Sequence, residues 1–206
     1  MRKATKIVAA WFGVVAGIGG LEHGYFEILQ GNTNPQGLMI VSIGPPCVPE
    51  EVWNACEPAM TIIPNFLISG ILSVLLGLLI LVWSAGFLQR KNGGMVLILL
   101  SAALLLFGGG IFPPLIGMVG GAAGMKINKP IVGKQANGPL RAAAKLWSWP
   151  LVIFVVWVLG QFPVGYFFND FLQSIMGFSL LLILVMLPVS VYSAYGRDVQ
   201  TGLIGE

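Results

Sequence analysis

The eleven Lys and Arg residues of this 206-residue chain fall into four clusters that long apolar runs separate. The clusters are Arg2, Lys3 and Lys6; Arg90 and Lys91; Lys126, Lys129, Lys134, Arg141 and Lys145; and Arg197. Lys and Arg in short loops favour the cytoplasmic side of a bilayer, so this distribution constrains the topology strongly. All eleven basic residues can be placed on one side of a membrane.

The composition also indicates a membrane protein. The chain is 56% hydrophobic and 9% charged, whereas an ordinary soluble domain carries about 25% charged residues. We predict an all-α integral membrane helical bundle, a single domain, in the plasma (inner) membrane. Topology accounts for the basic residues, so the net charge of +3 does not indicate nucleic-acid binding. The expected partner is the lipid bilayer, with anionic lipids at the cytoplasmic face, and a homo-oligomer or a larger membrane complex stays open.

The apolar runs predict six segments, at residues 7–29, 62–88, 95–109, 113–125, 149–168 and 171–195, with both termini cytoplasmic. A cleaved signal peptide is the rival interpretation of the first run, because a basic start precedes it. The loop 30–61 contains Glu50, Glu51 and Glu57 but no Lys or Arg, so we expect it outside. Asn169 and Asp170 are expected to form a short outer turn before the last segment.

The stretch from residue 95 to 125 is almost continuously apolar, but it contains a break. As one helix it would carry the third basic cluster to the outside, against the bias of the other loops. Three glycines from Gly108 to Gly110 can end a helix, and Pro113 and Pro114 can begin the next one. The sequence therefore predicts a short helical hairpin.

Two features flank these segments. Arg141 and Lys145 are four residues apart, and we expect them to form a lipid-facing basic patch on a short interfacial helix. Leu140 and Ala144 of that helix, with Trp147, are expected to face the membrane. In the outer loop, Cys47 and Cys56 predict a disulfide if the loop faces an oxidising compartment.

The candidate polar site comprises Glu22, His23 and Glu27 near the outer end of the first segment and Gln161 in the outer half of the fifth. His23 and Glu27 are four residues apart and can touch on one helix face. Glycines recur along the first segment at alternating spacings of four and three, and such a seam should face another helix. The seam consists of Gly13, Gly17, Gly20 and Gly24, and it ends at Glu27.

We therefore expect His23 and Glu27 to face the bundle. Ionisable groups within membrane segments often mark function, so a proton-linked site, a metal site or a solute contact is one interpretation. A structural hydrogen-bonded pair is the other. The cysteine pattern supports no zinc site, and the single His23 excludes a bis-histidine haem within one chain. The metal and the cofactor, if any, stay unknown.

Several motifs resemble those of a family of prokaryotic multi-pass membrane proteins with about six segments. They are G-L-E-H-G at 20–24, E-I-L-Q-G-N at 27–32, E-P-A-M-T at 57–61, the glycine and proline break at 108–114, and I-N-K-P at 127–130. The resemblance covers most of the chain. No activity is assigned to the family, so it implies a small plasma-membrane protein and no catalytic residue.

Two functions remain open from the sequence. The chain lacks a nucleophile elbow, a P-loop, a Rossmann fingerprint and the H-E-x-x-H motif, which favours a non-enzymatic protein. That protein would be a binding protein, a transporter-like module or a subunit of a membrane complex. The alternative is a membrane enzyme, or a metal- or redox-linked protein, that uses Glu22, His23 and Glu27 near the outer face.

Overall fold

The computed structural model describes residues 1–44, 55–131 and 137–204, with side chains as far as Gly202. The described residues form eight helices and two short strands. In chain order these are α1 (Lys3–Leu29), β1 (Met39–Val41), β2 (Pro58–Met60), α2 (Phe66–Gly86), α3 (Gly93–Leu106), α4 (Phe112–Gly124), α5 (Gly138–Lys145), α6 (Trp149–Phe167), α7 (Asn169–Ser174) and α8 (Met176–Ile204). The predicted all-α class is confirmed in its coarse form, because the strands have three residues each.

Four of these helices, α1, α2, α6 and α8, are long and apolar enough to cross a membrane. Their outward faces are apolar: on α2, for example, Leu75, Leu79 and Val82 are each more than half exposed. An outward apolar belt of this kind suits a lipid environment and not water. The fold is therefore compatible with a membrane protein.

Helix α1 lies at the centre of the bundle and contacts α2, α3, α4, α6 and α8. Its glycine seam faces α2 and α3, as predicted. A side chain at Gly17 would meet Leu81 and the backbone oxygen of Gly77, and one at Gly24 would meet the Gly70 oxygen. On another face, Phe12 is fully buried and packs against Phe154 of α6, with the rings tilted and their centroids 4.9 Å apart. The glycines thus allow α1 to approach α2 closely, and large aromatic side chains fill the contact between α1 and α6.

The apolar stretch 95–125 is broken, as predicted. Gly108 and Gly110 adopt positive φ angles of 95° and 77°, which favour glycine, and prolines stand at the start of α4. The glycines of α4 let it pack tightly on α3: a side chain at Gly117 would collide with Ser101, and one at Gly121 would meet Ile98. The two short helices are a hairpin.

The loop 30–61 contains structure that the sequence did not predict. Strands β1 and β2 pair in antiparallel fashion, with Ile40 opposite Ala59. The sheet is joined to the break between α3 and α4, because Gly108 N donates to Met60 O at 2.9 Å and Thr61 pairs with Phe107. At the start of α2, the Asn65 side chain caps the helix by accepting from Ile68 N at 3.0 Å.

Three further expectations are corrected. The outer turn at Asn169 and Asp170 is the short helix α7, and the last long helix begins at Met176 and continues to Ile204. Leu140 and Ala144 of α5 do not face the membrane. They are buried against α8, where Gly196 leaves room for both side chains. The small residue on α8 explains why α5 turns its apolar face inward.

The segments that carry the basic residues meet at one end of the bundle. Arg2 N donates to Ile127 O at 2.8 Å, and the Asn128 amide donates to Gln89 O at 2.9 Å. Asp198 of α8 accepts from the backbone nitrogens of Ala4 and Thr5. We call this the basic end, and we call the opposite end, where β1 and β2 lie, the sheet end.

Candidate ligand-binding site

The polar residues of α1 lie at the sheet end, and a close helix crossing positions them. A Cβ atom at Gly24 would lie 2.7 Å from Gly70 O and 2.8 Å from Val74 N of α2. Only glycine permits two backbones to approach this closely. The crossing turns His23 and Glu27 into the bundle, where their side chains are 1% and 0% exposed. The prediction that both residues face the bundle is confirmed.

Glu27 is surrounded by hydroxyls and backbone. Its Oε1 accepts from Ser42 Oγ at 3.0 Å, and the Ser69 hydroxyl lies beside the same carboxyl group. A side chain at residue 108 would collide with the Glu27 carboxyl, so this group packs directly on the Gly108 backbone. Nearby, Ser69 and Ser73 of α2 both donate to Phe107 O at 2.9 Å. These serines fix the last carbonyl group before the break.

His23 lies one helical turn before Glu27 on α1 and has different neighbours. Its Nε2 lies 3.7 Å from Oε1 of Glu57, which precedes β2. The imidazole packs on the backbone of Gly110, where a side chain would collide with it. Its Nδ1 has no hydrogen-bond partner within the described residues. No hydrogen bond joins His23 to Glu27, so the interpretation as a structural hydrogen-bonded pair is corrected. His23 lies beside Glu57 and Glu27 accepts from Ser42, and these two residues face each other next to β1 and β2.

A cavity of about 270 Å³ opens beside His23. It lies between α1, the start of α4, the second half of α6 and the first turns of α8, with the segment before β2 as part of its wall. Its polar lining consists of Glu22, His23, Glu57, Gln161, Gln173 and Ser179. The remaining walls are mainly apolar, with Phe112, Ile116, Phe162, Met176, Leu180 and Ile183 among them. Glu27 is not part of this lining.

The structure brings Gln161 to the same cavity as Glu22 and His23. The Gln161 side chain is 8% exposed and accepts from Ser179 Oγ at 3.0 Å. Ser179 in turn accepts from Trp157 Nε1 at 3.0 Å. In this series of two hydrogen bonds, the oxygen of the Gln161 amide already accepts from Ser179. Its NH₂ group is left as the hydrogen-bonding group for another partner.

The cavity is acidic. Glu22 and Glu57 both line it, and neither Lys nor Arg occurs among the described lining residues. The sequence alone did not single out Glu57, Ser42 or Ser179. Glu57 stood in a loop rich in proline, and nothing in its spacing indicated that the chain folds back over His23. Glu57 directly precedes β2, and the sequence of that strand, P-A-M, contains no residue type that favours strands.

The other predicted features lie elsewhere. Arg141 and Lys145 are exposed on α5 at the basic end, and their contact with lipid stays a prediction. Cys47 lies outside the described residues, so the Cys47–Cys56 disulfide also stays a prediction. Among the described residues, no three His, Cys, Asp or Glu side chains converge as they would around a metal ion.

Comparisons of the chain with protein-family models, with curated proteins and with solved structures gave no match.

Proposed function

We propose that this protein is a six-segment plasma-membrane protein that binds a small organic cation in the cavity near its outer face, as a transporter-like or solute-binding module. One observation supports the proposal most directly. The cavity combines two carboxyl groups and an imidazole with apolar walls, and its described lining contains no Lys or Arg. A cation with an apolar body satisfies both parts of that lining.

The size of the cavity limits the ligand. An apolar cavity of about 150 Å³ holds a benzene molecule, whereas pockets for drug-sized ligands usually start at about 300 Å³. At about 270 Å³, the cavity accommodates one ring or a short branched chain with an amino group. We therefore assign it to small amines rather than to peptides or lipids.

The proposed topology rests on the positions of the basic residues at one end of the bundle. Ten of the eleven basic residues, all but Lys134, lie in described residues, on segments that meet at the basic end. With that end cytoplasmic, α1, α2, α6 and α8 cross the membrane, and α3 and α4 complete six segments as a hairpin. At 1.5 Å per residue each arm is about 20 Å long, shorter than the roughly 30 Å hydrocarbon layer. Packing against α1 and α2 shields these short arms.

Labelling of single cysteines tests the topology. In a background with Cys47→Ser and Cys56→Ser, a membrane-impermeant maleimide should label Asn32→Cys in intact cells. It should label Lys129→Cys only after the membrane is opened. Labelling of Lys129→Cys from outside would contradict the proposed orientation.

Ligand binding tests the function directly. Benzylamine, benzyl alcohol and benzoate share one ring and differ in charge, so calorimetry on the protein in uncharged detergent compares them. We expect benzylamine alone to bind. The Glu57→Gln variant should bind it at least roughly ten-fold more weakly, because a hydrogen bond to a charged group contributes about 1.5–3 kcal/mol.

Asp170→Asn is the matched control, because Asp170 is exposed on α7 at the same end but does not line the cavity. It should bind benzylamine like the unaltered protein. Equal binding of the amine, the alcohol and the acid, or equal losses in Glu57→Gln and Asp170→Asn, would refute the proposal.

A further inference from the structure

A second cleft lies at the basic end, far from the proposed cation site in the fold. It is formed where the start of α1, the segment that follows α4 and the last turns of α8 meet, and it encloses about 510 Å³. Four basic side chains line it: Arg2, Lys3, Lys129 and Arg197. They come from three separate parts of the chain, so only the folded bundle assembles them.

Arg2 is held in place by the cleft itself. Its backbone nitrogen donates to Ile127 O at 2.8 Å, and its Nε donates to Lys129 O at 3.0 Å. The guanidinium carbon also lies 5.5 Å from the centroid of the Tyr195 ring. One terminal nitrogen, Nη2, also donates to Pro130 O at 3.5 Å. These contacts fix the side chain and leave the other terminal N–H groups for an anion. A preorganised guanidinium loses little conformational entropy when it binds.

The positive charge of the cleft is not neutralised within the described residues. Asp198 lines the cleft, but both of its oxygens accept hydrogen bonds from α1. Ala4 N donates at 2.9 Å, Thr5 N at 2.8 Å and Thr5 Oγ1 at 2.6 Å. None of the four basic side chains forms an ion pair with a described carboxylate. Asp198 thus stabilises the start of α1, and one carboxylate against four basic side chains leaves the described lining with an excess of positive charge.

One wall of the cleft is apolar. Ile7 is 45% exposed, and Trp147 and Ile131 are half-buried beside it. Tryptophan is common at the depth of lipid headgroups, where an apolar ring meets a polar layer. A cleft with a basic rim and an apolar wall is complementary to a molecule that carries a phosphate on a hydrocarbon body.

We propose that this cleft binds the headgroup of an anionic phospholipid, with the phosphate between Arg2, Lys129 and Arg197 and an acyl chain along Ile7 and Trp147. Basic clefts between membrane helices on the cytoplasmic side bind such headgroups. The inference does not depend on the proposed cation site, because it uses no residue of that cavity.

Native mass spectrometry on the full chain in uncharged detergent measures the binding. Phosphatidylglycerol is titrated into the protein, and phosphatidylcholine is the neutral comparison. We expect bound phosphatidylglycerol on the unaltered protein. The double variant Lys129→Gln, Arg197→Gln should bind it roughly thirty-fold more weakly, since each basic residue near an anionic lipid contributes about five-fold. Both side chains are exposed and make no hydrogen bond within the described residues, so the fold should be retained.

The double variant Arg90→Gln, Lys91→Gln is the control. It removes the same charge at the same end of the bundle but outside the cleft lining. It should keep most of the affinity for phosphatidylglycerol. If the first double variant is unstable, the single variants Lys129→Gln and Arg197→Gln carry the same test, at about five-fold each.

Three results would overturn the inference. The first is an equal loss of affinity in the two double variants. The second is equal binding of phosphatidylcholine and phosphatidylglycerol. The third is displacement of the lipid by inorganic phosphate at millimolar concentration, which would assign the cleft to a free anion.

Discussion

Replacement of Gly24 by alanine tests the helix crossing that positions the polar end of α1. A Cβ atom at this residue would lie 2.7 Å from Gly70 O and 2.8 Å from Val74 N. The crossing is reciprocal, because a Cβ at Gly70 would lie 2.6 Å from Gly24 O. The nearest atoms are backbone, so side-chain rotation alone cannot relieve the overlap. The two helices must instead separate.

The expected cost follows from these distances. Carbon and oxygen atoms in close contact are separated by about 3.3 Å, so α1 and α2 must move apart by roughly 0.6 Å. An added methylene in a packed core costs about 1–3 kcal/mol, and rigid obstacles place this substitution near the upper value. Alanine recovers about 1 kcal/mol through its higher helix propensity. We expect Gly24→Ala to lower the free energy of unfolding by about 2 kcal/mol.

The control is Gly160→Ala in α6, where a Cβ meets nothing within 4 Å. It should stabilise the protein by up to about 1 kcal/mol, since only helix propensity changes. Unfolding by SDS in mixed micelles, followed by circular dichroism, measures both variants. The double variant Gly24→Ala, Gly70→Ala should cost less than the sum of its parts, because the first substitution already separates the helices. If Gly24→Ala and Gly160→Ala changed stability equally, the close crossing would be refuted.

Three other predictions concern contacts elsewhere in the bundle. Asp198→Ala should lower the free energy of unfolding by about 3 kcal/mol, because the first backbone N–H groups of α1 lose their acceptor. If the loss were no larger than that of an exposed substitution on α8, this prediction would be wrong. Ser73→Ala should cost only about 1 kcal/mol, because Phe107 O keeps a second serine donor, and the same SDS titration checks it. Cys47 and Cys56 should resist alkylation until a reductant is added, as mass spectrometry can show, and reduction should cost roughly 2–3 kcal/mol.

The sequence predicted the features that depend on local periodicity. The glycines of α1 repeat at helical spacing, and their role follows because a stripe of small residues brings two helices together. Gly108 and Pro113 likewise mark a break through their own backbone preferences. Such signals lie in residues close together in the chain, so no knowledge of the rest of the fold is needed to interpret them.

The partners of the polar residues could not be predicted in the same way. The spacing of His23 and Glu27 permits a contact, but each side chain has a partner from the sheet instead. Ser42 and Glu57 are adjacent to strands of only three residues, which are too short to show alternation. Their positions depend on pairing between distant segments, and Gln161 reaches the cavity only because α6 packs beside α1. The partners of the polar residues are therefore set by contacts between segments that are distant in the sequence.

The hydrogen bonds of Asp198 also determine when this end of the bundle can close during synthesis. The first helix leaves the ribosome early, yet the carboxylate that accepts from Ala4 N and Thr5 N lies 194 and 193 residues further along the chain. At about 5–20 residues per second, synthesis reaches that aspartate roughly 10–40 seconds after the helix has begun. During that interval water or lipid headgroups must solvate the start of α1. The bundle therefore closes at this end only after its last helix has been made.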